Sequence, residues 1–168
     1  MSNCVFCRIV AGQIPSTRVY EDEHTLAFMD IVPRCEGHVL VIPKGPVRNV
    51  LDASPGQLAA CMKTVQKVAG AAVKAFDADG FTLLQANEAA GGQVVFHLHF
   101  HVIPRLEGVA LKPHTGGMEK PEILAANAEK VSRAAGEQAT AAAQLARSAV
   151  QMRAANARTT SAITEPKS

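Results

Sequence analysis

Aromatic side chains make up only 4% of this 168-residue chain, and tryptophan is absent. Platforms that stack the bases of single-stranded nucleic acid need such rings, so that class of partner is not expected. An excess of charge of one sign is missing too. The formal net charge is +2, too small to hold nucleic acid or an anionic membrane by bulk electrostatics. No apolar run approaches the roughly 18 residues of a membrane-spanning helix. Met1-Ser2-Asn3-Cys4 lacks the charged-then-apolar layout of a secretory leader. The four cysteines, Cys4, Cys7, Cys35 and Cys61, do not make a disulfide framework in a chain of this kind. A reducing cytoplasm is the expected compartment.

What remains is enough chain for one ordinary domain with an appendage. Residues 4–11 suit a short helix ended by Gly12 and Pro15. Residues 25–29 and 38–42 read as strands. Ser54-Pro55 is a strong helix start, with Ser as N-cap and Pro in the first turn. An apolar stripe including Leu58, Cys61, Val65, Val68 and Ala72 carries that helix to about residue 76. Residues 81–86 read as a strand, 88–93 as a Gly-rich loop, and 94–103 as a strand closed by Pro104. This order predicts an α+β fold, an antiparallel sheet with one long helix on it. Past Lys112 the chain is Ala-rich and lacks aromatics. A helix is expected over 121–134, interrupted at Gly136, with helix-permissive sequence to 157 and a frayed end over 159–168. The expected division is 1–118 for the domain and 119–168 for a helical extension with little to bury.

Three of the six histidines fall within "HLHFH", His97 to His101. In a strand, alternate residues share a face, with Cα atoms about 6.5–7 Å apart. Leu98, Phe100 and Val102 would then enter the core, and His97, His99 and His101 would line a cleft. Three readings follow. The cluster is an accidental His-rich strand; it chelates a metal; or one imidazole is a nucleophile that its neighbours orient. An unperturbed imidazole is largely neutral at pH 7, so a nucleophile is available without help. No acidic residue lies between Glu88 and Glu107 to support metal-bound histidines. Upstream, Gly91-Gly92 lets backbone N–H groups approach an anion, and Asp30 could grip vicinal ribose hydroxyls.

These residues resemble the histidine triad (HIT) family. Its signature of three histidines alternating with apolar residues is matched throughout 97–103. "CVFCRIVAGQIPS", "LAFMDI", "GHVLVIPK" and "NEAAGGQ" resemble further family blocks in the family's order. Together they span about residues 4–105 and are most similar to the bacterial Hint-like branch. The resemblance implies a nucleotidyl hydrolase or transferase that dimerises by joining sheets. It implies that His99 attacks the α-phosphorus of a purine nucleotide, such as an adenosine phosphoramidate or a dinucleoside polyphosphate. His97 and His101 would orient His99 and bind phosphate, with His38 supporting the triad. Asp30 would take the ribose, and Phe6, Ile9, Phe28 and Ile31 the purine. Asn87, Gly92 and Gln93 would lie at the phosphate. No cofactor is required for this chemistry.

Two departures stand out. Val94 replaces the Ser or Thr that usually follows Gly-Gly-Gln, which bears on rate and leaving-group preference. Cys4-x-x-Cys7 resembles a structural zinc half-site completed by histidines, but Pro46 stands where one of those histidines is expected. That replacement argues against bound zinc. The alternative to an active enzyme is a catalytically weak nucleotide-binding scaffold of the same fold.

Overall fold

The computed structural model describes the backbone of residues 4–163 and the side chains of residues 4–153. The chain divides into two compact units, Met1–Ala135 and Gly136–Ser168. The first holds helix α1 (Val5–Val10), strands β1 (Arg18–Glu21), β2 (Thr25–Met29) and β3 (Val39–Pro43), helix α2 (Pro55–Ala75), strands β4 (Gly80–Leu84) and β5 (Phe100–Arg105), and the start of helix α3 (Pro121–Ile163). All strand pairings are antiparallel, in the order β1-β2-β3-β5-β4.

Each central strand is buried on both faces, which explains its unbroken apolar sequence. Ala27, Met29, Val39, Val41, Phe100 and Val102 join Cys61, Val65, Val68 and Ala72 of α2 in one core. Leu26, Phe28, Leu40 and Ile42 join Phe6 and Ile9 of α1 in a second. His101 is the cross-strand partner of Leu40, and Leu40 of Phe28. Cross-strand partners share a face, so His101 belongs to the α1 side.

The start of α2 follows the expected capping chemistry. Gln57 N–H donates to Ser54 Oγ at 3.2 Å, Ser54 N–H donates to Gln57 Oε1 at 2.9 Å, and Pro55 lies in the first turn.

Two expectations need correction. The strand expected over 94–103 begins only at Phe100. Its register with β3 runs from Val39↔Val102 to Val41↔Phe100, and β3 stops at Pro43, which has no N–H to continue the ladder. Upstream, His97 N–H folds back to Val95 O (2.8 Å) and Leu98 N–H donates to Val47 O (2.7 Å). His97 and His99 therefore leave the chain from an irregular segment. The boundary at 118 also moves. Leu124, Ala128, Val131 and Ala135, spaced three and four apart along α3, are buried in the α2-side core. Ser132 Oγ donates to Val19 O (2.9 Å). The first compact unit accordingly extends to Ala135.

In the second unit α3 continues, and Gly136 lies within the helix rather than interrupting it. One glycine costs a helix only about 1 kcal/mol relative to alanine, and good helix formers flank it. The backbone of 159–163 is helical; the frayed end expected at 164–168 lies outside the described residues.

Candidate active site

His99 is buried, and its Nδ1 lies 2.6 Å from the carbonyl oxygen of His97. A carbonyl only accepts, so Nδ1 carries the proton and the Nε2 lone pair is left free. Burial lowers the His99 pKa, with its own backbone bond and Asp30 opposing that shift. The result is a neutral imidazole in one tautomer, as a nucleophile requires.

His38 and His101 form a directional chain. The Arg34 N–H donates to His38 Nδ1 at 3.2 Å. His38 Nε2 must then carry the proton that bridges 2.9 Å to His101 Nδ1. This leaves His101 with a proton on Nε2, beside His99 at a ring separation of 5.0 Å. Both rings are neutral. Burial, followed by the repulsion between protonated His38 and His101, pulls the His38 pKa down to about 2. Burial, followed by the repulsion between protonated His101 and His99, pulls His101 down to about 3.

The ring of His97 does something different from what the triad pattern suggests. Its Nε2–H donates to Pro43 O (3.0 Å), so Nδ1 presents a lone pair to Cys4 Sγ (3.4 Å) and Cys7 Sγ (3.5 Å). These three ligand atoms lie within 4.8 Å of one another. An N–H anchored on a carbonyl, with the other nitrogen facing thiols, is the arrangement of a metal-binding histidine. Cys4 also caps α1, accepting from the Cys7 N–H. Burial and the neighbouring Cys4 raise the Cys7 pKa to about 11. The donors would suit a soft divalent ion such as Zn²⁺. The pairing of His97 with the CxxC was missed in the sequence because all three triad histidines were assigned to one cleft. The signal was the CxxC itself, which needs a histidine from elsewhere.

The remaining residues divide. Phe6 meets Phe28 edge-on at 5.5 Å and His99 at 5.3 Å, so these rings stand against the His99 imidazole. Phe6, Ile9 and Phe28 are buried together, whereas Ile31 is 55% exposed. Asp30 is buried at the end of β2. Its Oδ1 accepts from the Val32 N–H (2.9 Å), and its Oδ2 lies 3.5 Å from His38 Nδ1 and 3.8 Å from His101 Nδ1.

The Gly-rich loop is held by its own side chains. Gln93 Nε2 donates to Arg48 O and Val95 O, and its Oε1 accepts from the Glu88 N–H. Asn87 is bonded to Gln85 and to the Val50 N–H. Both amide protons of Gln93 are committed, whereas Asn87 Nδ2 has a second N–H besides the one it gives to Gln85. They shape the loop, while Gly92, with φ at +91°, supplies backbone that other residues rarely adopt. His114 was not among the expected site residues. It reaches Asp30 Oδ2 at 3.1 Å, with its ring 5.5 Å from His101 and 6.0 Å from His38.

Comparison with known proteins places this arrangement. The HIT domain family model matches residues 11–108. "Protein hit" of Bacillus subtilis is 43% identical over 127 residues, covering 73% of this chain and 87% of the relative. The adenylylsulfatase HINT3 of Arabidopsis thaliana is 42% identical over 106 residues, 63% of this chain and 54% of that protein. Adenosine 5′-monophosphoramidase hnt1 of Schizosaccharomyces pombe is 39% identical over 103 residues, 61% and 74%. A Hit-like protein from Bartonella henselae superposes with a TM-score of 0.75 at 50% identity, covering 80% of this chain and 98% of the other. A zinc-bound histidine triad protein from Mycobacterium smegmatis gives 0.75 at 35% identity, covering 83% and 98%. By sequence, fold and the disposition of its histidines, the chain belongs to the histidine triad family.

Proposed function

We propose that the protein is a nucleotidyl hydrolase acting at the α-phosphate of purine nucleotides, with adenosine phosphoramidates or dinucleoside polyphosphates as its substrate class. The observation that carries this reading is the His99 tautomer. With Nδ1–H held on the His97 carbonyl, only Nε2 can attack. In the first step the Nε2 lone pair forms a bond to phosphorus. The bond from phosphorus to the leaving group breaks, and the leaving group departs with that electron pair; a departing amine takes a proton from water. The adduct is a nucleotidyl-imidazolium whose Nδ1–H still faces a carbonyl. In the second step water attacks phosphorus and the N–P bond returns its electrons to His99, releasing the nucleoside monophosphate. The His101 Nε2–H, fixed by the chain from Arg34 through His38, donates to a phosphoryl oxygen as charge builds there.

The names of the Arabidopsis and Schizosaccharomyces relatives, an adenylylsulfatase and an adenosine 5′-monophosphoramidase, support the adenylyl part of this reading. Val94 is 80% exposed and offers no hydroxyl to a leaving group. Catalysis needs no cofactor here. Cys4, Cys7 and His97 would hold a zinc ion in a structural role, fixing α1 and its Phe6 against the site. A homodimer is part of the reading: β4 is an edge strand of the sheet and exposes Phe81, Leu83 and Leu84, an unusual apolar edge for a chain that stays alone.

The test is chemical trapping. Rapid quench of the wild-type protein with an adenosine phosphoramidate should give one adenylyl group per active site on His99, and His99→Ala should form none and turn over nothing. Wild-type rates in that variant would refute the mechanism.

A further inference from the structure

Among the described residues, the Asp30 carboxylate has one proton donor at Oδ2. His38 Nδ1 and His101 Nδ1 approach it, but both lone pairs there are already committed, to the Arg34 N–H and to His38 Nε2–H. The donor is His114 Nε2, at 3.1 Å. Oδ1 is engaged by the Val32 N–H. A ribose diol needs a carboxylate oxygen to accept from it, and in this arrangement Oδ2 already accepts from the chain's own imidazole.

His114 arrives on a strap, residues 106–120, that is exposed almost throughout. The strap is tied to the loop that follows Asp30. Lys112 N–H donates to Arg34 O (2.9 Å), Arg34 Nε donates to Lys112 O (3.1 Å), and Glu119 N–H donates to Ile31 O (2.8 Å). Two of its residues, Lys112 and Glu119, line a cavity of about 250 Å³ together with Cys35, Glu36, Ile123 and Asn127. A segment with few buried apolar contacts belongs to the less stable part of a fold. His114 itself keeps 45% of its side chain in solvent.

We propose that His114 is an internal competitor for the ribose. It occupies Asp30 Oδ2 in the free protein, and a nucleotide seats its sugar by displacing it. This rests on the reading of Asp30 as the ribose carboxylate. Apparent affinity is then the intrinsic affinity multiplied by the fraction of molecules in which His114 has left Asp30. A hydrogen bond to a charged group, lost by His114 and regained by the sugar, makes that reduction about tenfold.

The test is calorimetric binding of AMP to the full chain and four variants. His114→Ala should bind AMP about tenfold more tightly than wild type, and His114→Gln, which restores an N–H donor on a similar reach, should return most of the way to wild type. In an Asp30→Ala background, removing His114 should change nothing. Unchanged or weaker AMP binding by His114→Ala overturns the proposal. The underlying reading has its own readout: Asp30→Ala alone should weaken AMP binding and abolish the preference for AMP over 2′-deoxy-AMP. If that preference persists, the ribose lies elsewhere and the assignment of Asp30 fails, whatever His114 does.

Discussion

Lowering the pH from 7 to 5 should destabilise this protein through two particular imidazoles. In the unfolded chain His38 and His101 titrate near 6.5 and take up protons over this interval. In the folded protein burial holds them to about 2 and about 3, so they stay neutral. The unfolded state binds more protons, and stability must fall as pH falls. The contribution is fully present above pH 6.5 and is lost progressively below it. Each histidine contributes about 1.9 kcal/mol between pH 7 and 5, roughly 4 kcal/mol together. That is a large part of the 5–15 kcal/mol typical of a domain. Asp22 and Glu88, whose pKa values are lowered by their hydrogen bonds, add their losses mainly below this window. Urea unfolding at the two pH values and constant ionic strength measures the difference. Burial lowers His97 and His99 in the same sense and adds to the loss, and His38→Gln should reduce it by about 2 kcal/mol, because one of the proton-linked groups is gone. A difference below about 1 kcal/mol in the wild type would mean that these rings are hydrated or protonated in the native state, and the directional chain from Arg34 would not exist as drawn.

Two further outcomes follow from the same geometry. Co²⁺ added to the reduced protein should give thiolate charge-transfer absorption that Cys7→Ser and His97→Ala both abolish; a spectrum unaffected by His97→Ala would show that the ring does not complete the cysteine pair. Truncation after residue 135 should leave the melting temperature of the first compact unit nearly unchanged, whereas truncation after 118 removes buried Leu124 and Val131, worth roughly 3–6 kcal/mol together, and should leave little folded protein by circular dichroism.

The central strands and α2 were legible because their signals are local. The residues of β2 and β3 form short apolar runs between turn residues, and Ser54-Pro55 with Gln57 carries its cap in four consecutive positions. The start of β5 was not legible from alternation alone. The pattern continues upstream to Val95, but a strand needs a partner, and β3 has none to offer beyond Pro43. The first turns of α3 were underrated because alanine buries little area by itself. Placed with Leu124 and Val131 on one face, Ala128 and Ala135 allow the helix to join the α2-side core. His99 and His101 could be singled out from the triad, yet the division of labour within it depends on what stands opposite each ring. His97 meets Cys4 and Cys7 across some ninety residues of chain, and His114 meets Asp30 across eighty-four. Only the folded chain brings those pairs together.

The first donor in the chain to His101 is a peptide N–H, not a side chain. Its direction is therefore written into the path of the backbone between Asp30 and His38, and nothing at position 34 that keeps an N–H can reverse it. Most substitutions of Arg34 would leave that donor in place, losing only the side chain's hold on Lys112. Proline is the exception, since it alone deletes the N–H. A saturation library at this position should thus separate one residue from nineteen, a pattern by which a positioning role of the main chain can be read in genetic data that record only side chains.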